Sequence, residues 1–173
     1  VTIVRIGERT GGDGDAVDSL IACHQRIRSF LALGARIAEQ GGAPLEVADA
    51  CQRIERYFRQ AMPLHVADEE DTILPRLRGR EAPLDRALAD MHEQHRAHES
   101  AQAAFTAAAA ALASDPSDPA RRLQLGASGQ ALSAELAPHL ELEEAIVFPA
   151  MRRLLSGPEL ADLAREIRAR RDR

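Results

Sequence analysis

The sequence predicts an all-α protein, an antiparallel up-down-up-down four-helix bundle followed by a short extra C-terminal helix. Three observations carry that expectation. Ala and Leu dominate while aromatic residues make up only 3% of the chain, a balance that suits helices and suits β-sheet poorly. Apolar residues recur at helical spacing through four long stretches. Brief clusters of Gly, Pro, Ser and Asp separate those stretches, and short connections make successive helices antiparallel neighbours.

Each element arises from its local pattern. Residues 1–6 alternate polar and apolar side chains and read as a short strand or an extended arm. Residues 11–15 break the chain, with Asp13 or Asp15 available to cap the first helix. That helix runs from Val17 to about Gln40 through Leu20, Ile27, Leu31 and Ile37, and stops at Gly41-Gly42-Ala43-Pro44. The second runs from Leu45 to about Arg78, with Cys51, Ile54, Phe58 and Met62 on one stripe. After a break at residues 79–83, the third runs from Leu84 to Ala113 through Leu88, Met91, Phe105, Ala109 and Leu112. Asp118 caps the fourth, with Pro119 at its first position, and it continues to about Leu155. Ser156-Gly157-Pro158 ends it, and a short amphipathic helix comes next through Leu160, Leu163 and Ile167. The expected organisation is an arm over 1–15, a bundle over 16–155, and a short helix with a basic tail over 156–173.

Bulk properties narrow the partners. A chain of 173 residues fits one ordinary core. The net charge of −5 argues against nucleic acid. The basic run from Arg165 to Arg173 reads as a solvated last turn whose cations suit the helix dipole. No apolar stretch approaches the ~20 residues of a membrane span. The first 15 residues lack a signal-peptide layout, although the start at Val1 leaves a removed leader open. A cytoplasmic chain, monomeric or homodimeric, with Cys23 and Cys51 as reduced core thiols, is the expectation.

The second and fourth helices hold an internal repeat. Residues 65–78 and 139–152 both read His, apolar, any, any, Glu, Glu, any, any, β-branched, bulky apolar, Pro, any, apolar, Arg, at a constant offset (139 − 65 = 74). The repeat implies a duplicated helix pair with a pseudo-two-fold axis. His and Glu at i and i+4 lie one above the other, their Cβ atoms ~6 Å apart, and so offer an imidazole and a carboxylate to one point. His65-Glu69 and His139-Glu143 also fall on the apolar stripes, where an isolated carboxylate costs several kcal/mol. His24 on the first helix and His95 on the third are in phase with their own cores. Pairing them leaves 41 residues to the next motif in one half and 44 in the other (65 − 24 and 139 − 95). His98 then pairs with Ile27. Pro63 and Pro138 beside the motifs suggest distorted helix where these side chains are aimed.

The set His24, His65, Glu69, His95, His139 and Glu143 mixes imidazole with carboxylate, which suits iron, manganese or zinc. It lacks the thiolate cluster of structural zinc. It is too large for one open ion, and two ions bridged by the carboxylates use it economically. The rival reading is a bundle whose polar layer holds zinc or nothing. Ferritin-like di-iron proteins place Glu before His, at i and i+3, whereas both copies here place His first. Glu70 and Glu144 are candidates to hydrogen-bond ligand imidazoles. Tyr57 is expected as a core or rim aromatic, and Cys23 is expected to play no part at the site, because neighbours on a helix face different ways.

These residues, in this order on four helices, closely resemble the hemerythrin-like (HHE cation-binding) domain, over residues 17–155. The continuation from Glu69 to Pro75, and from Glu143 to Pro149, is similar to that of its bacterial members. The resemblance implies a non-haem di-iron centre, carboxylate- and oxo-bridged, with Glu69 and Glu143 as bridges and the histidines as terminal ligands. It implies O₂, NO or peroxide as the small partner, or iron sensing, and an oxidase or peroxidase as the enzymatic alternative. The animal oxygen carriers of that family use five His and two carboxylates. Here His92, His98 and Glu99 compete as a further ligand, and Glu143 stands where the carriers have Asp. Those departures point toward oxidation chemistry or sensing. Ile27, Leu31, Phe58, Met62, Leu142 and Ile146 are placed to line a gas-sized space.

Overall fold

The computed structural model describes residues 15–172. The expected N-terminal strand or arm, Asp13 and Arg173 lie outside the described residues. Among the described residues every regular element is helical.

Helix α1 (Ala16–Gln40) begins at a capping box: Asp15 accepts from the Asp18 backbone, and Asp18 accepts from the Asp15 backbone. It stops at Gly41, whose φ of 64° belongs to the region glycine reaches without strain. The next rod, α2 (residues 44–77), opens with Pro44 in its first turn. Helix α3 (Ala82–Ser114) is next, then α4 (residues 119–154), capped by Asp118 with Pro119 at its start. Helix α5 (Gly157–Arg171) starts at a second capping box, Ser156 with Glu159. Connections of two to four residues force neighbouring helices antiparallel. The bundle closes in the order α1, α2, α3, α4, with α4 returning to α1, and α5 lies against α1 and α2.

Two rods are interrupted by π turns, in which each backbone bond spans five residues rather than four. In α2 they cover Tyr57–Ala61 and Glu69–Ile73; in α4 one covers Glu143–Val147. Pro63, Pro75 and Pro149 each stand two residues beyond such a turn. A helix-interior proline has no N–H to give and crowds the carbonyl four residues back. Widening the turn before it relieves the crowding, and the frame shift appears as a π turn. The expectation for Pro138 fails: it sits inside uninterrupted α-helix over Pro119–Leu142. Pro63 leaves the Phe58 carbonyl without its donor, and Gln102 of α3 supplies one at 3.1 Å.

Apolar packing forms two clusters, not one. One end holds Leu20, Leu77, Leu88, Met91, Phe148, Met151 and the inner face of α5. The other holds Ile27, Ile54, Phe58, Met62, Phe105, Leu132 and Leu136. Phe105 lies between α1 and α4 where both carry glycine: a Cβ on Gly34 would stand 2.8 Å from its ring and one on Gly129 3.0 Å. Buried histidines and carboxylates occupy the layer between the clusters. His24 lies between Leu20 and Ile27, His65 and Glu69 between Met62 and Ile73, His95 between Met91 and Phe105, and His139 and Glu143 between Leu136 and Val147.

Candidate metal centre

All six sequence-derived candidates meet in that layer, and all are buried. They form two groups whose ligand atoms lie within 4.8 Å of one another: His24, His65, Glu69, Glu143 and Glu69, His95, His139, Glu143. Both carboxylates belong to both groups. Glu69 Oε1 stands 3.0 Å from His65 Nε2, and its Oε2 stands 3.0 Å from His95 Nε2. Glu143 Oε2 stands 3.0 Å from His24 Nε2, and its Oε1 stands 3.6 Å from His139 Nε2. Exchanging His24 with His95, His65 with His139 and Glu69 with Glu143 converts one group into the other. That is the pseudo-two-fold relation the repeat implies. Two of the three π turns obey it too, those beginning at Glu69 and at Glu143, whereas the turn over Tyr57–Ala61 has no counterpart in α4.

Short N···O distances here are not ordinary hydrogen bonds. The Nε2 atoms of His24, His65, His95 and His139 and all four oxygens of Glu69 and Glu143 are buried without a hydrogen-bond partner. Eight unsatisfied polar atoms in a dry layer are expensive unless something else satisfies them. A pair of divalent cations does so, since lone pairs from imidazole and carboxylate then converge on each. The donor set therefore fits a metal site.

The opposite ring nitrogens are held from behind. His24 Nδ1 donates to Glu144 at 2.8 Å, and His95 Nδ1 donates to Glu70 at 2.6 Å, a pair again related by the repeat. Glu144 also accepts from Arg28, and Glu70 from His92. His139 Nδ1 donates to Gln94 Oε1 at 3.1 Å. With Nδ1 bearing the hydrogen, each Nε2 presents its lone pair inward, the arrangement of metal-ligating histidine.

Electrostatics among these side chains are lopsided. Burial raises the Glu69 carboxyl, but His65 and His95 outweigh it and hold Glu69 well below the usual carboxylate range. Burial and the Glu69 charge push Glu143 up. His65 is lifted well above the usual imidazole range by Glu69 and Cys23, despite burial. Burial, with His95 and His98 nearby, pushes His139 down to about 3 against the pull of Glu69.

The remaining candidates separate cleanly. His98 is buried with its ring 4.9 Å from that of His139, yet it belongs to neither group. His92 and Glu99 are exposed. Tyr57 stacks on Phe30 and donates to the Cys23 carbonyl, a rim position. Ile27, Leu31, Phe58 and Met62 are buried as expected, but Ile146 is 45% exposed and lines nothing. Phe148 takes the inner place instead, its ring 5.0 Å from that of His24, because the π turn shifts the phase of α4.

A family model described as hemerythrin HHE cation binding domain matches residues 15–125 and again residues 86–172. The chain belongs to the hemerythrin HHE family. Each match takes in one of the two His-x-x-x-Glu segments of this hemerythrin-like chain. No curated protein matches it. Among the described residues, no helix of this HHE protein is long and apolar enough to cross a membrane.

Sequence reasoning missed one region of the HHE bundle. Asp68 is wholly buried and pairs with Arg170 and with Arg171, the latter at 2.6 Å. Arg170 also donates to Thr72 Oγ1, and Arg171 lies 3.7 Å from the Cys23 sulfur. The end of α5 is therefore not a solvated basic tail: its arginines neutralise a buried acid beside Glu69. Two cations in an otherwise exposed run were the only sequence signal.

Proposed function

We propose that this protein is a non-haem di-iron protein that binds or senses O₂ or a related small ligand such as NO or peroxide, or iron itself. His24 and His65 would hold one ion, His95 and His139 the other, and Glu69 and Glu143 would bridge them. The observation that carries this reading is the division of both carboxylates between the two histidine pairs. Imidazole mixed with carboxylate suits iron; zinc has no redox chemistry to offer, and manganese favours sites richer in carboxylate and water. Bound iron supplies reversible redox chemistry and a coordination position for a small ligand.

The chain's own residues define what reaches the site. Apolar clusters on both sides of the layer exclude bulk water, surroundings that suit a small, weakly polar visitor. Glu70 and Glu144 fix the tautomer and orientation of His95 and His24. His139, its pKa pushed down to about 3, remains neutral and available as a ligand across physiological pH. A cytoplasmic protein with no nucleic-acid partner agrees with this reading.

Metal content per chain and the near-ultraviolet and visible spectrum before and after reduction test it. About two irons per chain with absorption that bleaches on reduction is the expected result. Zinc alone, or no metal after iron supplementation, overturns it. Sustained turnover of peroxide or an organic substrate would reassign the same centre to an oxidase or peroxidase, whereas a reversible spectral change on exposure to O₂ or NO supports binding.

A further inference from the structure

The two halves of the bundle match in their inner residues but differ in what lies outside them. Asp68, with its arginine clamp, corresponds to Leu142 (68 + 74), and Ile21 corresponds to His92 (21 + 71). In one half His92 bonds to Glu70 at 2.8 Å, so a polar side chain meets the carboxylate behind His95. In the other half Ile21 holds the same place and has nothing to offer Glu144. Beside Ile21 the surface opens into a cavity of about 470 Å³. Val17, Ile21, Phe148 and Pro149 give it apolar walls. Phe148 is also the partition between this cavity and the buried polar layer. It is 2% exposed, and its ring lies 5.0 Å from that of His24, tilted by 35°. Glu144 lines the same cavity and accepts from His24 Nδ1. The cavity therefore meets His24 through two side chains.

We propose that this cavity admits a small uncharged gas to the ion held by His24 and His65, with Phe148 as the gate. This route rests on the di-iron reading above. Charge decides the class of visitor. Arg152 is bound to Asp15 and Asp18, Arg153 to Glu81, and Glu144 to Arg28 and His24. Each charged group lining the cavity is engaged by a partner, and none is left to draw in an anion or a metal ion. Apolar walls instead favour a molecule that water solvates poorly. Hydrogen peroxide would give up hydrogen bonds to water on entering, whereas a diatomic gas gives up none. The volume suits a small-ligand pocket, and smaller apolar cavities take up xenon or benzene. The repeat counterpart of Phe148 is Leu74 (148 − 74), so the aromatic gate has no equivalent in the half that carries His95. Gas would reach the ion at His24 and His65 first.

Xenon is the first probe, because it reports on the cavity whether or not iron is bound. Crystals of the purified chain under xenon pressure should show xenon against Ile21 and Phe148. Ile21→Trp, which fills the space, should remove it. The second probe is NO, whose association with the iron-loaded chain is followed by stopped-flow absorbance, per bound iron. Ile21→Trp should slow association by about tenfold, with iron content as in wild type. Phe148→Leu, which copies the counterpart and trims the gate, should speed association. Circular dichroism checks that each variant folds; if Ile21→Trp does not, Ile21→Phe narrows the same space and Phe148→Leu still tests the gate. A wild-type cavity without xenon would overturn the proposal. So would NO association at the wild-type rate in a variant that has lost its xenon. A wild-type chain that takes up xenon but no iron pair removes the di-iron reading, and with it the destination of the route, though not the apolar gas site.

Discussion

Glu69 and Glu143 occupy the same place in the two halves of the molecule, and each reaches across: one oxygen meets the histidine of its own helix, the other a histidine of the opposite half. Replacing either glutamate therefore removes a proposed ligand from both ions, whereas replacing His24 removes one from a single ion. Glu69→Ala should lose both irons, and His24→Ala should retain one. Elemental analysis after identical loading decides it. Equal loss in the two variants would contradict the sharing.

Buried Asp68 gives a second prediction. Removing Arg170 and Arg171 together leaves a wholly buried carboxylate without compensation. This should cost about 2–4 kcal/mol, below the full penalty because both guanidinium groups are partly exposed. Changing Asp68 to Leu in that background copies the residue found at Leu142 and should restore most of the loss, since a buried ion pair is commonly replaceable by apolar packing. Urea denaturation of the metal-free forms measures both steps. No recovery with Leu would mean that the clamp supplies more than neutralisation.

Gly34 faces the Phe105 ring, and Gly129 and Phe58 prevent that ring from retreating freely. Gly34→Ala should destabilise the protein by about 1–3 kcal/mol through overpacking. Because the contact lies in the apolar cluster beyond the polar layer, metal content should be unchanged. Denaturation midpoint and metal analysis on the same sample check the two halves of the statement.

Metal uptake should release protons, and release more of them in mild acid. Glu143 is raised by burial and the Glu69 charge, so on the acid side of its shifted pKa the metal-free site carries a proton there. His65, also raised, carries another. A cation must displace both to reach the lone pairs. Above the raised pKa of Glu143 its contribution vanishes, so loading at pH 8 should release fewer protons than loading at pH 6, and affinity should fall as pH drops between them. Pulse loading in weakly buffered solution with a pH indicator measures the count; a release independent of pH contradicts the assignment.

The bundle and the six inward residues were legible because both depend on periodicity. His24, His65, Glu69, His95, His139 and Glu143 lie in phase with apolar neighbours, and the 74-residue offset marks which positions correspond. The π turns were not legible in the same way. Pro75 and Pro149 were visible as part of the repeat, but their effect falls on the preceding turn, and Pro138 produces no such effect at all. Phase counted through a π turn slips by one position, so the inward pair expected three and four residues after Glu143 becomes Val147 and Phe148, both buried, while Ile146 turns outward. Cys23 and Asp68 depend on partners 148 and 103 residues away, respectively, both at Arg171. No local pattern encodes such a meeting.

The crossing of the glutamates has a consequence for how such a molecule can exist at all. Either helix pair alone carries two of the histidines and one glutamate, and so leaves each group short of a carboxylate. An unlinked helix pair would have to find a second copy before either ion could be enclosed, and its occupancy would depend on protein concentration. The four-residue connection between α2 and α3 turns that encounter into an intramolecular one, with an effective concentration in about the millimolar range. Occupancy of the proposed pair of ions would then track the supply of metal rather than the abundance of the protein.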